Sequence, residues 1–214
     1  HPSTFQQTPG ATSLSQATKL VLASASSGRR RILNNAGVAH VWDAAAIDEN
    51  AIKDDARRNG STINETTTRL AIEKAQVVSG RHPAAYVVGA DQILECDGRW
   101  FDKPTGEDGA INHLRILRGR THKLVSAIAV TKDGYTLWQH VDTARLTMRM
   151  FSDEFLNHYV RTNVANIINS VGAYQIEGAG AQLFEAIEGD HFTMLGLPLV
   201  PLLSFLRSEG VSPT

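Results

Sequence analysis

Asp91 lies in the middle of AAYVVGADQILE (Ala84 to Glu95), the longest apolar stretch of the chain. A carboxylate inside a buried strand is costly unless a cation or metal stands beside it, which makes Asp91 the leading candidate for chemistry. The structural alternative is an aspartate that accepts backbone amides at a strand break. Lys74 falls four residues after Leu70 on the apolar stripe of a helical segment, so it must either snorkel to water or meet a buried anion. Read simply as a charge on that stripe, it should tolerate replacement by Met without thermal loss. Near the start, KLVLASASSGRRRIL (Lys19 to Leu33) passes from an apolar run through small hydroxyl residues into Arg29, Arg30 and Arg31. A helix start of this kind points its amides and dipole at anions, and arginine forks match phosphate oxygens. The stretch is not a P-loop, and no G-x-G-x-x-G follows its strand.

The elements that must position these groups follow from periodicity and punctuation. Leu20 to Ala23 reads as a buried strand, Arg29 to Ala36 as a helix ending at Gly37, and Val38 to Ile47 as a second strand delivering Asp48 and Glu49. Asn50 to Gly60 reads as a loop or helical turn, and Asn64 to Ser79 as an amphipathic helix. Asp97-Gly98 and Asp133-Gly134 are hairpin signals, the first returning Arg99 to Phe101 and the second joining Thr121–Thr131 to Tyr135–Met148. Thr105 resembles the cap of a helix over Glu107–Leu117, and Ser152 caps another through Val160. Asn163 to Gly180 reads as loop, Ala181 to Ile187 as strand, and Leu199 to Arg207 as a final helix. Early alternation of strand and helix followed by hairpins predicts a mixed α/β sheet.

Composition narrows the function classes. The chain has 214 residues, 42% apolar and 20% charged, with a formal charge of −1. No global field marks a nucleic acid polymer or a membrane surface as partner, so any anion site must be local. One cysteine, Cys96, excludes an internal disulfide framework and fits a reducing compartment. No apolar run approaches a membrane span, and residues 1–18 lack the pattern of a secretory signal. These eighteen residues read as a disordered lead or cloning remnant before a single domain over 19–214, with a cytoplasmic location expected. His113, His122 and His191 are too scattered for zinc and read as surface or loop residues. Trp42, Trp100 and Trp138 read as packing residues.

Separated segments together resemble the Maf family. They are S-x-S-x-x-R-R (Ser24, Ser26, Arg29, Arg30), Asp48-Glu49, R-L-A-x-E-K-A (Arg69 to Ala75), G-A-D-Q (Gly89 to Gln92) and Lys103-Pro104. G-A-Y-x-I-E-G (Gly172 to Gly178), I-E-G-D (Ile187 to Asp190) and G-L-P-L (Gly196 to Leu199) follow in order. The resemblance implies a nucleoside triphosphate pyrophosphatase with an elongated, twisted sheet, helices on both sides and a cleft between two lobes, like inosine triphosphate pyrophosphatases. It also implies a homodimer, an association with septum formation, and Asp91 as proton acceptor. Ser24, Arg29, Arg30, Lys74, Asp91 and Lys103 would form its catalytic set.

The residue chemistry is compatible with that implication. A nucleoside triphosphate carries about four negative charges near neutral pH, which Arg29, Arg30, Lys74 and Lys103 can match. Asp91 and Glu49 then call for a divalent ion with hard ligands, magnesium, manganese or cobalt. Whether Asp91 is base or metal ligand stays open on sequence grounds. Three positions bear on base choice: Gly28, Gln92 and Glu177. The Asp-Gln pair with a later Glu is similar to the Maf subgroup acting on 7-methyl-GTP, although that subgroup often has tryptophan where Gly28 stands. A dTTP/UTP pyrophosphatase and a non-catalytic nucleotide-binding septum regulator are the alternatives.

Overall fold

The computed structural model describes residues 19–213; the lead expected over 1–18 lies outside the described residues. In chain order the elements are β1 (Leu20–Leu22), α1 (Ser27–Asn35), β2 (Val41–Trp42), α2 (Glu49–Arg58), α3 (Ile63–Ser79), β3 (Tyr86–Cys96) and β4 (Arg99–Phe101). They continue with α4 (Gly106–Leu117), β5 (Thr121–Lys132), β6 (Tyr135–Met148), α5 (Asp153–Ile167), β7 (Phe184–Glu188), α6 (His191–Leu195) and α7 (Leu199–Ser208). Two 3-10 turns, Val171–Ala173 and Ala179–Leu183, lie between α5 and β7. The strands form one open mixed sheet in the order β2-β1-β3-β5-β6-β7, with β4 on β3. Neighbours are parallel from β2 to β3 and antiparallel from β3 to β7.

The long central strand β3 explains the layering. Side chains alternate along it, so successive residues serve opposite faces. Val87 packs with Ala75 and Val78, and Ile93 packs with Leu70 and Ile52, placing α3 and α2 on one face. Val88 and Ala90 pack with Leu199 and Leu202 of α7 and with Ile32 and Leu33 of α1 on the other. Leu94 belongs to a further cluster with Leu114 of α4 and Leu156 of α5. Helices therefore cover both faces. The two hairpins form as expected: Asp97 and Gly98, and likewise Asp133 and Gly134, all have positive φ, the requirement of a two-residue turn matching strand twist.

Several local expectations are corrected. The strand expected over 38–47 shrinks to the exposed edge pair Val41–Trp42. Just beyond it the Asp43 amide still donates to the Leu22 carbonyl at 2.9 Å, while its carboxylate bonds Arg81 and His82 at 3.0 and 2.8 Å. The segment read as loop or helical turn over 50–60 is mostly the ten-residue helix α2. Asp48 caps it by accepting from the Ala51 amide at 3.0 Å, and Arg57 and Arg58 complement the dipole in its last turn. Its apolar face is only Ile52 and Ala56, too narrow a stripe to announce a helix. Thr105 makes no side-chain cap bond to α4. Helix α5 continues to Ile167, shortening the expected loop, and β7 starts at Phe184 because 179–183 coils into a 3-10 turn. The five-residue α6, capped by Asp190 through the Thr193 amide, was not expected.

Candidate active site

Asp91 shares its face of β3 with Val87 and Ile93 and meets α3. The approach is close because residue 89 is glycine: a Cβ there would stand 2.0 Å from the Ala71 carbonyl oxygen and 2.8 Å from the Ala75 nitrogen. With α3 lying so near the strand, Lys74 cannot snorkel away. Its Nζ donates to Asp91 Oδ1 at 3.2 Å and contacts Glu49 Oε1 at 2.5 Å, with the Lys74 and Asp91 side chains each 12% exposed. Glu49 reaches this point as the first residue of α2, and its neighbour Asp48 is spent on the cap. Burial alone would raise the Glu49 pKa, but the charge and hydrogen bond of Lys74, helped by Lys53 and Lys103, hold it below the usual carboxylate value. Asp91 Oδ2 is buried with no hydrogen-bond partner.

Arg29 joins this centre from α1. Burial lowers its pKa, against the opposing pull of Asp91 and Glu49. An arginine keeps its charge in such a setting, so what the shift reports is a desolvated cation facing two carboxylates. Its Nε donates to the Gly196 carbonyl at 2.8 Å and its guanidinium donates to Ser24 Oγ at 3.4 Å. Ser24 also accepts from the Ser26 amide, and Ser26 caps α1, so the two serines shape the turn that carries the arginines. Arg30 stands apart from that group. Its guanidinium lies 4.2 Å over the Trp42 ring, with Nε buried and unpartnered. Lys103 is exposed in the loop after β4 and acts on Glu49 only through its charge. Sequence reasoning missed Lys53, one turn after Glu49 on α2, whose Nζ bonds Asp102 at 2.9 Å. The pair becomes visible only once residues 49–58 are known to be helical.

Carboxylates at two positions can hold a hard divalent ion if phosphate oxygens and water complete its shell. No group of three or more His, Cys, Asp or Glu suited to a metal occurs among the described residues. The unpartnered Asp91 Oδ2 and the half-exposed Glu49 fit such a two-carboxylate arrangement, and so does the high local density of cations for a polyanion. Lys74 occupies the space between them in this structure.

A cavity of about 220 Å³ opens between α1 and α6. Gly28, Arg31 and Ile32 form its α1 wall, and Glu177, His191 and Phe192 face them. Gly28 and Glu177, two of the three positions expected to bear on base choice, both line the cavity. Gln92 does not: it points to the opposite face of β3 from Asp91. Its amide nitrogen lies 3.0 Å from Ser126 Oγ and 3.2 and 3.1 Å from the Thr193 and Met194 carbonyls. It anchors α6 from below. One histidine differs from the surface reading: His122 is fully buried against the Tyr174 hydroxyl at 2.7 Å. His191 is exposed as expected, and it bonds Glu177 at 2.8 Å in the cavity wall.

The profile of a family described as Maf-like protein matches residues 19–209, almost the whole described chain. The chain belongs to the Maf family. This Maf protein is 51% identical over 193 residues to a protein of Nitrobacter hamburgensis named nucleoside triphosphate pyrophosphatase, covering 90% of this chain and 94% of that one. It is 48% identical to a protein of the same name from Paramagnetospirillum magneticum, over 89% and 98% of the two chains. A Rhizobium etli protein named 7-methyl-GTP pyrophosphatase is 45% identical, over 90% and 96%. No helix among the described residues is long and apolar enough to cross a membrane.

Proposed function

We propose that this Maf protein is a nucleoside triphosphate pyrophosphatase that hydrolyses its substrate to a nucleoside monophosphate and pyrophosphate, with a guanine-type base, 7-methylated or otherwise modified, as its preferred cargo. The observation that carries the reading is Lys74 held between Glu49 and Asp91, with Arg29 desolvated beside both and one Asp91 oxygen left unpartnered. The names of its relatives support the reaction class.

In this reading the triphosphate lies along the cations. Arg29 and Lys74 meet the phosphates at the buried end, and Arg30, Lys53 and Lys103 complete the positive field. A water attacks the α-phosphorus, the bond from that phosphorus to the bridging oxygen breaks, and pyrophosphate leaves. Asp91 Oδ2 takes the proton of the attacking water; its fixed position and lack of another partner suit that task. Glu49 and Asp91 would hold a magnesium, manganese or cobalt ion, which when bound supplies charge neutralisation and Lewis acidity at the phosphate oxygens. Lys74 then exchanges its carboxylate partners for phosphate.

Base choice rests on Glu177. Guanine presents two adjacent donors, N1–H and the exocyclic amine, and a carboxylate can accept from both. Uracil and thymine offer one donor between two acceptors, which a carboxylate meets poorly. The absence of a side chain at Gly28 leaves the α1 wall of the cavity open, so the base contacts Ile32 and Phe192 instead. On the family resemblance alone we also assign a cytoplasmic homodimer, which light scattering of the purified protein checks.

A hydrolysis screen over 7-methyl-GTP, GTP, UTP, dTTP and CTP, with magnesium, manganese, cobalt or excess chelator, tests the proposal. Turnover highest on a guanine nucleotide and lost in chelator is the expected result. Full activity in chelator overturns the metal assignment, and a preference for UTP or dTTP overturns the base assignment.

A further inference from the structure

We infer that His191 is a specificity-positioning residue, one that orients the Glu177 carboxylate for the base and is itself held in register by the strand that carries Asp91. This rests on the base-choice reading above. Glu177 sits in the loop between the two 3-10 turns, with its side chain 52% exposed. Its one side-chain partner among the described residues is His191, at 2.8 Å. A carboxylate can only accept, so His191 Nε2 carries the hydrogen of this bond. The bond occupies one lone pair of Oε1. It leaves the second lone pair of that atom and all of Oε2 for two donors of a base.

Without that bond the carboxylate would be free to rotate, and the base would have to immobilise it on binding. The backbone of His191 is itself held in place. This residue is the first of α6, and α6 is tied down by Gln92 of β3, which reaches the Thr193 and Met194 carbonyls. Asp142 of β6 adds a bond from the Thr193 hydroxyl at 2.8 Å, and Ser126 donates to the Thr193 carbonyl at 2.6 Å. Asp91 and Gln92 are consecutive residues on opposite faces of one strand. The first faces the phosphate centre; the second steadies the helix that aims the base reader. This gives Gln92 a role in specificity without contact with the base.

The test is steady-state kinetics with GTP and UTP on wild type, His191→Ala, His191→Asn, Glu177→Gln and the double variant Glu177→Gln/His191→Ala. His191→Ala should reduce the GTP/UTP ratio of kcat/KM roughly three- to tenfold, chiefly through KM for GTP. His191→Asn, which keeps a donor, should recover part of the loss, and His191→Ala should have little further effect on the ratio once Glu177 is Gln. If Glu177→Gln abolishes guanine preference but His191→Ala leaves it intact, the positioning role is wrong and the base reading stands. If Glu177→Gln leaves the ratio unchanged, the base reading fails and the positioning role with it. An equal loss on both nucleotides in His191→Ala would make the contact merely structural and overturn the inference.

Discussion

At the proposed phosphate end Lys74 and Asp91 are each 12% exposed and meet on a seventeen-residue helix and an eleven-residue strand, whereas at the proposed base end Glu177 and His191 keep 52% and 55% exposure on a loop and a five-residue helix. On the proposed reading, the difference follows from what each end would do. The phosphates are the same in every nucleoside triphosphate, so their partners can be desolvated and rigid, where electrostatic interactions are strongest. Bases differ, and Glu177, the proposed reader, stands on a loop beside a helix of one turn. Arg29 spans the divide: its guanidinium faces the Asp91 and Glu49 carboxylates while its Nε bonds Gly196, the residue that ends α6.

The comparison can be broken most forcefully at Asp91. Asp91→Asn should leave a folded protein with at least about a hundredfold lower kcat on every nucleotide, with base preference unchanged. A loss confined to guanine nucleotides would mean that the two ends are not separate. Lys74→Met is next. Sequence alone suggests tolerance of Met there, but the structure puts Lys74 between two carboxylates, and removing it leaves them facing one another. The expected cost is roughly 2 to 4 kcal/mol, moderated because Glu49 keeps 43% exposure, with a kcat/KM loss of at least about tenfold. Chemical denaturation and kinetics on the same preparation check both. Unchanged stability would place the lysine in solvent.

What the sequence made legible divides along the same line. Asp91 and Lys74 were visible because charge in an apolar context violates ordinary burial preference, and Arg29 because it follows a strand and opens a helix. Glu49 was legible only through the Asp48-Glu49 pair shared with Maf proteins, since the strand expected to deliver it ends at Trp42. The long helix α3 and both hairpins were visible for similar reasons, through periodicity and Asp-Gly turns. The base end was harder to read. Helix α6 is one turn and too short to show a period, His191 looks like any surface histidine, and Gln92 reads as a base contact until alternation turns it to the other face. Helix α2 was hidden by its narrow apolar face, and Lys53 with it.

Smaller changes sharpen the base end. Glu177→Gln should cost guanine nucleotides roughly 1 to 3 kcal/mol in kcat/KM beyond any effect on UTP or dTTP. An unchanged ratio would remove Glu177 from base reading. The loop that carries Glu177 is anchored three residues earlier by Tyr174, whose hydroxyl meets buried His122. Burial lowers the His122 pKa from 6.5 to about 4. The unfolded chain therefore binds the proton more tightly, so stability should be full above about pH 6.5 and fall as pH drops toward 4, by up to about 3 kcal/mol. Urea unfolding across that range should show the slope, and His122→Gln should flatten it. An identical slope in the variant would assign it to other groups.

The most direct measurement is the identity of the phosphorus products when purified protein hydrolyses GTP or 7-methyl-GTP with magnesium, followed by phosphorus NMR. Equal amounts of nucleoside monophosphate and pyrophosphate, with the oxygen of labelled water in the monophosphate, are expected from attack at the α-phosphorus, at a rate at least about a hundredfold lower in Asp91→Asn. Nucleoside diphosphate with orthophosphate would contradict that assignment and place the cleavage at the β–γ bond instead.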